Sequence, residues 1–113
     1  RSGIPTLVTA VYHVRQAVLA QAVGAAWIAP YLGRMTESGR DGRRHVEQMQ
    51  RILDGSGTRV LVASIRSVDD IHELAIAGID AVTISVPVAS ELLQEPLTEA
   101  AVAQFDDAAT RLR

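Results

Sequence analysis

The feature that most constrains this chain is a punctuation repeated three times: helical spacing, then glycine, then a short apolar run rich in β-branched residues. Gln16 to Val23 leads to Gly24 and then Ala26-Trp27-Ile28-Ala29. His45 to Asp54 leads through Gly55 to Gly57 into Arg59-Val60-Leu61-Val62-Ala63, and Asp69 to Ala77 leads to Gly78 and Ala81-Val82-Thr83-Ile84. Glycine just past a helix ends it by taking the left-handed conformation that other residues avoid. A fourth run, Thr6-Leu7-Val8-Thr9-Ala10-Val11, opens the chain. These runs are apolar throughout rather than alternating, which predicts strands covered on both faces.

The segments between them carry helical spacing. Val46, Met49 and Leu53 fall at i, i+3, i+7, and Ile71, Leu74 and Ala75 at i, i+3, i+4. Ser67 with Asp70 three residues on reads as a capping box. Thr98 is the expected N-cap of a terminal helix whose Val102, Phe105 and Ala109 share a stripe. Pro87 is expected to end the fourth strand and open a short helical turn through Glu91 to Gln94. The order is βαβαβαβα plus a final helix. Strand and helix in alternation mean a parallel sheet, because a crossover must return the chain to the same end.

Ala20-Gln21-Ala22-Val23-Gly24 is echoed by Leu74-Ala75-Ile76-Ala77-Gly78, with the two glycines 54 residues apart, or two units averaging 27 residues. Units of that size suit a (β/α)-barrel, which needs eight, whereas 113 residues hold four. The reading is a single α/β domain over residues 1–113: parallel (β/α) units forming half of a TIM barrel, plus a C-terminal helix. Four units leave two strand edges unpaired and the barrel interior open, so such a chain is expected to form a homo-oligomer or to pair with a missing N-terminal half. A compact doubly wound domain is the alternative. Arg1 in place of Met reads as a chain cut from something longer, or processed.

In a barrel the loops after the strand C-termini build the site, so polar residues there carry the chemistry. Ala29-Pro30-Tyr31-Leu32-Gly33-Arg34 follows the second strand directly. The Tyr31 phenol can donate or accept a proton, and the planar Arg34 guanidinium suits a phosphate; the plainer roles are a loop tyrosine and a surface arginine. Ser64, where the third strand ends, offers a hydroxyl and a nearby backbone N–H as an anion site beside the helix that starts at Ser67, or simply bonds its own turn. Thr9 lies in an otherwise apolar strand, so its hydroxyl needs a partner, either a neighbouring backbone group or something at the barrel mouth.

Other features carry less. His13, His45 and His72 lie 32 and 27 residues apart, which is no metal-ligand spacing, and solvated helix faces are the expected places for the last two. Arg40, Arg43 and Arg44 cluster, but Glu37, Asp41 and Glu47 surround them; with a net charge of −2 no nucleic-acid partner is expected. Asp69-Asp70 suits a helix first turn. Gly55-Ser56-Gly57 precedes a strand rather than a helix, the wrong order for a phosphate-cradling loop, and neither a cofactor nor a metal is expected. No apolar run approaches a membrane span and no leader pattern opens the chain. The absence of cysteine fits a reducing cytoplasm, the expected location. Lysine is also absent, all 11 basic residues being arginine.

Three stretches together resemble a known family. Gly3-Ile4-Pro5-Thr6-Leu7-Val8-Thr9-Ala10-Val11-Tyr12, Ala29-Pro30-Tyr31-Leu32-Gly33-Arg34 and Val62-Ala63-Ser64-Ile65-Arg66 are similar, in order, to the C-terminal half of the small transaldolase and fructose-6-phosphate aldolase family. Gly39-Arg40-Asp41-Gly42 and the ending around Pro96-Leu97-Thr98 with Phe105 are similar as well, so the resemblance covers essentially all 113 residues. It implies a (β/α)8 barrel of which this chain holds the fifth to eighth strands. It also implies a lysine Schiff base that makes and breaks a carbon–carbon bond between a ketose donor and a phosphorylated aldehyde. Tyr31 then matches the acid/base tyrosine of the aldolase branch, where many transaldolases have phenylalanine. Arg34 and Ser64 match the pair that grips the substrate phosphate, and Thr9 the threonine that helps hold the catalytic water.

The departures matter equally. The family's Schiff-base lysine lies on the fourth strand, just before the first matching motif, and no lysine here replaces it. Thr36 stands where the family commonly has aspartate. Without an amine nucleophile there is no iminium electron sink, so this chain by itself is expected to be inactive on sugar phosphates. Two further readings stand beside this one: a non-catalytic half-barrel interaction module, and a simple phosphate-binding α/β domain.

Overall fold

The computed structural model describes residues 4–112. The readings at Arg1 and Gly3 lie outside the described residues. In chain order the elements are β1 (Leu7–Val11), α1 (Val14–Val23), β2 (Trp27–Pro30), α2 (Leu32–Glu37), α3 (Gly42–Leu53), β3 (Arg59–Val62), α4 (Val68–Ile76), β4 (Ala81–Val82), α5 (Val86–Leu92) and α6 (Pro96–Arg111). The glycine punctuation does what its position requires: Gly24, Gly55 and Gly78 have φ of 72°, 75° and 76°, each just beyond a helix that it terminates.

Four local expectations are corrected. The segment after β2 is helical rather than a loop, because Tyr31 ends the strand ladder and the next residues form α2 at once. The terminal helix begins at Pro96, whose missing N–H suits the first turn, and the Glu95 carboxylate caps it by accepting from the Leu97 amide at 3.1 Å; Thr98 lies inside. β4 stops at Val82, because Ser85 already caps α5. Ser67 caps α4 by accepting from the Asp70 amide at 3.2 Å, but the Asp70 carboxylate accepts from the Arg66 amide at 3.1 Å, one residue short of a full capping box.

The four strands form one parallel sheet in the order β1-β2-β3-β4. A doubly wound sheet reverses its strand order at a switch point; this sheet runs strictly in sequence and is not doubly wound. Ala17 and Ala20 of α1, Leu32 and Met35 of α2, Val46, Met49 and Leu53 of α3, Leu74 of α4 and Val88 of α5 share one buried cluster with Val11, Ile28, Val60 and Val62 of the strands. The helices therefore cover the sheet face to which Ile28, Val60 and Val62 point.

The opposite face is open: of the two covers that apolar strands predict, the helices of this chain supply one. Leu7, Trp27 and Arg59 are register partners in one row across it. Leu7 is 47% exposed, and the Arg59 guanidinium lies 4.7 Å from the Trp27 ring centroid. Leu61 and Ala81 on the same face are only half-buried. α6 is likewise bare: among the described residues none of its side chains is buried, and Phe105 is 73% exposed.

Candidate functional site

β1 does not run straight. Its register passes from Val8↔Ile28 to Val11↔Pro30, three residues against two, and the extra residue is Ala10 at φ 54°. A non-glycine residue in the left-handed region stores about 1–3 kcal/mol and is characteristic of sites that re-aim a side chain. The bulge sets the Thr9 hydroxyl 2.8 Å from the Tyr31 phenolic oxygen, a hydrogen bond in which either group can donate. Tyr31 extends the ladder beyond β2: its amide donates to the Val11 carbonyl at 3.1 Å, and it bridges Ala63 in parallel.

The end of β3 has the second left-handed residue, Ser64 at φ 59°. Three successive amides at the start of α2 hold it. Leu32 donates to the Ala63 carbonyl at 3.0 Å, Gly33 to the Ser64 carbonyl at 2.7 Å, and Arg34 to the Ser64 hydroxyl oxygen at 3.1 Å. The approach requires glycine at position 33, where a Cβ would lie 2.5 Å from the Ser64 carbonyl oxygen. With its oxygen accepting from Arg34, the Ser64 hydroxyl keeps its own proton to donate. Two residues on, the Arg66 amide donates to the Asp70 carboxylate at 3.1 Å.

Arg34, exposed on α2, places its guanidinium 5.4 Å from the Tyr31 ring centroid. The Tyr12 side chain, followed by Tyr31 and Glu37, reinforces its positive charge and raises its pKa above the ordinary arginine value, against the opposing effect of desolvation. All four sequence-derived residues therefore meet at the C-terminal end of the sheet. Thr9 touches Tyr31, Tyr31 lies under Arg34, and Arg34 is fastened to Ser64.

Tyr12 was missed. It stands one residue past β1, and its ring packs edge-on against Tyr31 with centroids 5.6 Å apart. The signal was available, as an aromatic residue just after a strand at the site end of the sheet. His72 is exposed on α4, as expected, whereas His45 is half-buried and meets His13. His13 caps α1 through Nδ1, accepting from the Arg15 amide at 3.1 Å, and His45 Nδ1 accepts from the Val14 amide at 3.1 Å. Their rings lie 4.6 Å apart. Two members of the arginine cluster have structural partners: Arg40 donates to the Tyr12 carbonyl at 2.5 Å, and Arg43 pairs with Glu73. A depression of about 480 Å³ beside them, lined by Thr36, Arg40, Asp41 and Glu47 among others, mixes both charges and contains none of the four site residues. Among the described residues no cluster of histidine and carboxylate side chains could hold a metal ion.

The profile of the Transaldolase/Fructose-6-phosphate aldolase family matches residues 1–113. The chain belongs to the transaldolase/fructose-6-phosphate aldolase family. Similar members include a probable transaldolase of Lactiplantibacillus plantarum, 39% identical over 105 residues, which are 91% of this chain and 48% of that protein. One of Prosthecochloris aestuarii is 38% identical over 113 residues, 98% of this chain and 51% of its own. This transaldolase-family chain thus spans about half the length of the curated relatives it matches. Among solved structures, a mandelate oxidase mutant with a monooxide FMN adduct aligns with 76% of this chain and 28% of its own, at 26% identity and a TM-score of 0.57. No described helix is long and apolar enough to cross a membrane.

Proposed function

We propose that this chain is the C-terminal half, strands five to eight, of a transaldolase-type barrel that handles a phosphorylated sugar. Residues 1–113 act as one domain whose open sheet face is closed by an N-terminal half or by further copies of the chain. The observation that carries the proposal is the convergence of Thr9, Tyr31, Arg34 and Ser64 from three successive βα segments at one sheet end. Arg34 supplies the cation and Ser64 a hydroxyl donor for the phosphate. Such charge-assisted contacts are the strong ones, and arginine's fork matches phosphate oxygens.

Tyr31 moves the proton in aldol chemistry, and Thr9 fixes the phenol and the water between it and the sugar. The amine that forms the Schiff base comes from outside this chain, which has no lysine. With the iminium absent, positioning and proton transfer leave most of the barrier in place, so the isolated chain binds sugar phosphate without turning it over. A cytoplasmic location belongs to the same reading.

The test is a titration of the chain with fructose 6-phosphate and with fructose, together with an assay for glyceraldehyde 3-phosphate. Expected are phosphate-dependent binding, its loss in Arg34→Ala, and no product. Turnover by this chain would overturn the division of labour, and unchanged binding in Arg34→Ala would overturn the phosphate site.

A second reading, a non-catalytic half-barrel interaction module, is favoured by the uncovered row of Leu7 and Trp27 and by exposed Phe105 on α6. Light scattering separates the two. Self-association with no sugar-phosphate binding supports the module, and binding that Arg34→Ala abolishes supports the sugar-phosphate site.

A further inference from the structure

The β1–α1 junction is pinned more firmly than a connection of its length requires. The Tyr12 and His13 amides both donate to the Gln16 side-chain oxygen, at 2.7 and 3.0 Å. From the other side Arg40, in the α2–α3 connection, donates to the Tyr12 carbonyl at 2.5 Å. Three bonds from two elements therefore fix the backbone of one half-buried residue. A tyrosine side chain adds only two rotatable angles of its own, so a fixed backbone leaves its ring a small set of rotamers.

That ring has one large neighbour at the site. Its edge meets Tyr31 at 5.6 Å between centroids and an interplanar angle of 75°, the edge-to-face arrangement that the charge distribution of aromatic rings prefers. Arg34 lies at 5.4 Å from the same Tyr31 ring. Three side chains, from the residue after β1, the residue after β2 and α2, thus form a stack with Tyr31 at its centre. Tyr31 is half-buried just past β2 and Arg34 is exposed on α2, and Thr9 bonds the phenol.

We propose that Tyr12 is the positioning residue of this site: its ring sets the orientation of the Tyr31 ring and phenol, and through that ring the place where the Arg34 guanidinium rests. This rests on the reading of Tyr31 and Arg34 as the proton-transfer and phosphate groups, and it goes beyond that reading by assigning what holds them at a fixed separation. The ring is separable from its hydroxyl by chemistry. Tyr12→Phe keeps the ring and removes the hydroxyl; Tyr12→Leu removes both.

The sequence contains two tyrosines, Tyr12 and Tyr31, so a chain carrying ¹³C-labelled tyrosine reports the Tyr31 ring in isolation once Tyr12 is replaced. The experiment reads the Tyr31 ring resonances and the Arg34 Nε–H resonance in the ligand-free chain, then fructose 6-phosphate affinity and thermal midpoint. In Tyr12→Phe, which keeps the ring, the Tyr31 ring signals and the Arg34 Nε–H signal should both stay close to the parent's, and so should affinity. In Tyr12→Leu both sets of signals should shift and broaden, and affinity should fall about three- to tenfold. A merely structural residue would lower the thermal midpoint in Tyr12→Leu without broadening either reporter.

Tyr31 and Arg34 signals that stay in place in both variants overturn the proposal. If the parent chain binds no fructose 6-phosphate, the phosphate reading fails, while the ligand-free resonances still decide whether Tyr12 positions its neighbours.

Discussion

Replacing Gly33 with alanine tests whether the fold and the site share the same joint. The added Cβ would lie 2.5 Å from the Ser64 carbonyl oxygen, 2.6 Å from Arg66 Nε and 2.8 Å from Arg66 Cγ. The arginine can swing away, since its pairing with Glu37 at 3.2 Å is exposed and worth little. The carbonyl cannot, being backbone in a left-handed residue that accepts the Gly33 amide at 2.7 Å. α2 must therefore back off from the end of β3.

Overpacking of this kind costs about 1–3 kcal/mol, and stretching the hydrogen bond adds about 1 kcal/mol. Alanine's better helix propensity returns about 1 kcal/mol. The net is a loss of roughly 2 kcal/mol, or about 10 °C in melting temperature for a domain of this size. Thermal unfolding by circular dichroism measures the loss, and the Arg34 amide resonance measures the separation from Ser64. Gly57→Ala is the internal control, because nothing lies within 4 Å of its added Cβ; it should be neutral or slightly stabilising. Gly33→Ala melting at or above the parent temperature, with the Arg34 amide in place, would refute the reasoning.

Other outcomes follow from particular contacts. Partial burial, helped by Arg15, His45 and Arg40, pulls the pKa of His13 below its ordinary value of 6.5. The neutral ring is thus the folded form, and its cap on α1 stabilises the fold fully above pH 6.5 and is lost as pH falls below it. Urea midpoints should drop between pH 7.5 and 5.5, less so in His13→Asn, which still caps; equal drops would remove the assignment. Thr58→Val should cost about 1–3 kcal/mol in urea unfolding, because the buried hydroxyl donates to the Ala25 carbonyl at 2.7 Å and its loss leaves that oxygen unpaired; a change under about 0.5 kcal/mol would contradict this. Met35→Ala, fully buried where α2 meets the core, should cost about 2–5 kcal/mol by the same measurement.

The sequence made the parallel βα order legible because its signals are local. A left-handed glycine after a helix is dictated by backbone sterics at one residue, and Gly24, Gly55 and Gly78 all obey it. The position of Tyr31, Arg34, Ser64 and Thr9 at one sheet end followed from parallel topology, which brings all strand C-termini together. What local rules do not encode was missed. α2 has only six residues, too few for a periodic stripe, and its first three amides, of Leu32, Gly33 and Arg34, find their acceptors on Ala63 and Ser64 just past β3.

The pairing of His13 with His45 arises from the packing of α1 against α3. The bare sheet face has another origin. Apolar strands such as Trp27–Pro30 promise cover on both sides, but the helices of this chain supply only one layer. Family membership was legible in the three motifs; the expectation that Thr98 caps the last helix failed because Pro96 begins it two residues earlier.

The decisive measurement is a ¹H–¹⁵N map of the chain titrated with fructose 6-phosphate. The account requires saturable shifts at Tyr31, Arg34 and Ser64, absent with fructose alone. Shifts confined to Arg40, Arg43 and Arg44, or none at any concentration, would contradict it.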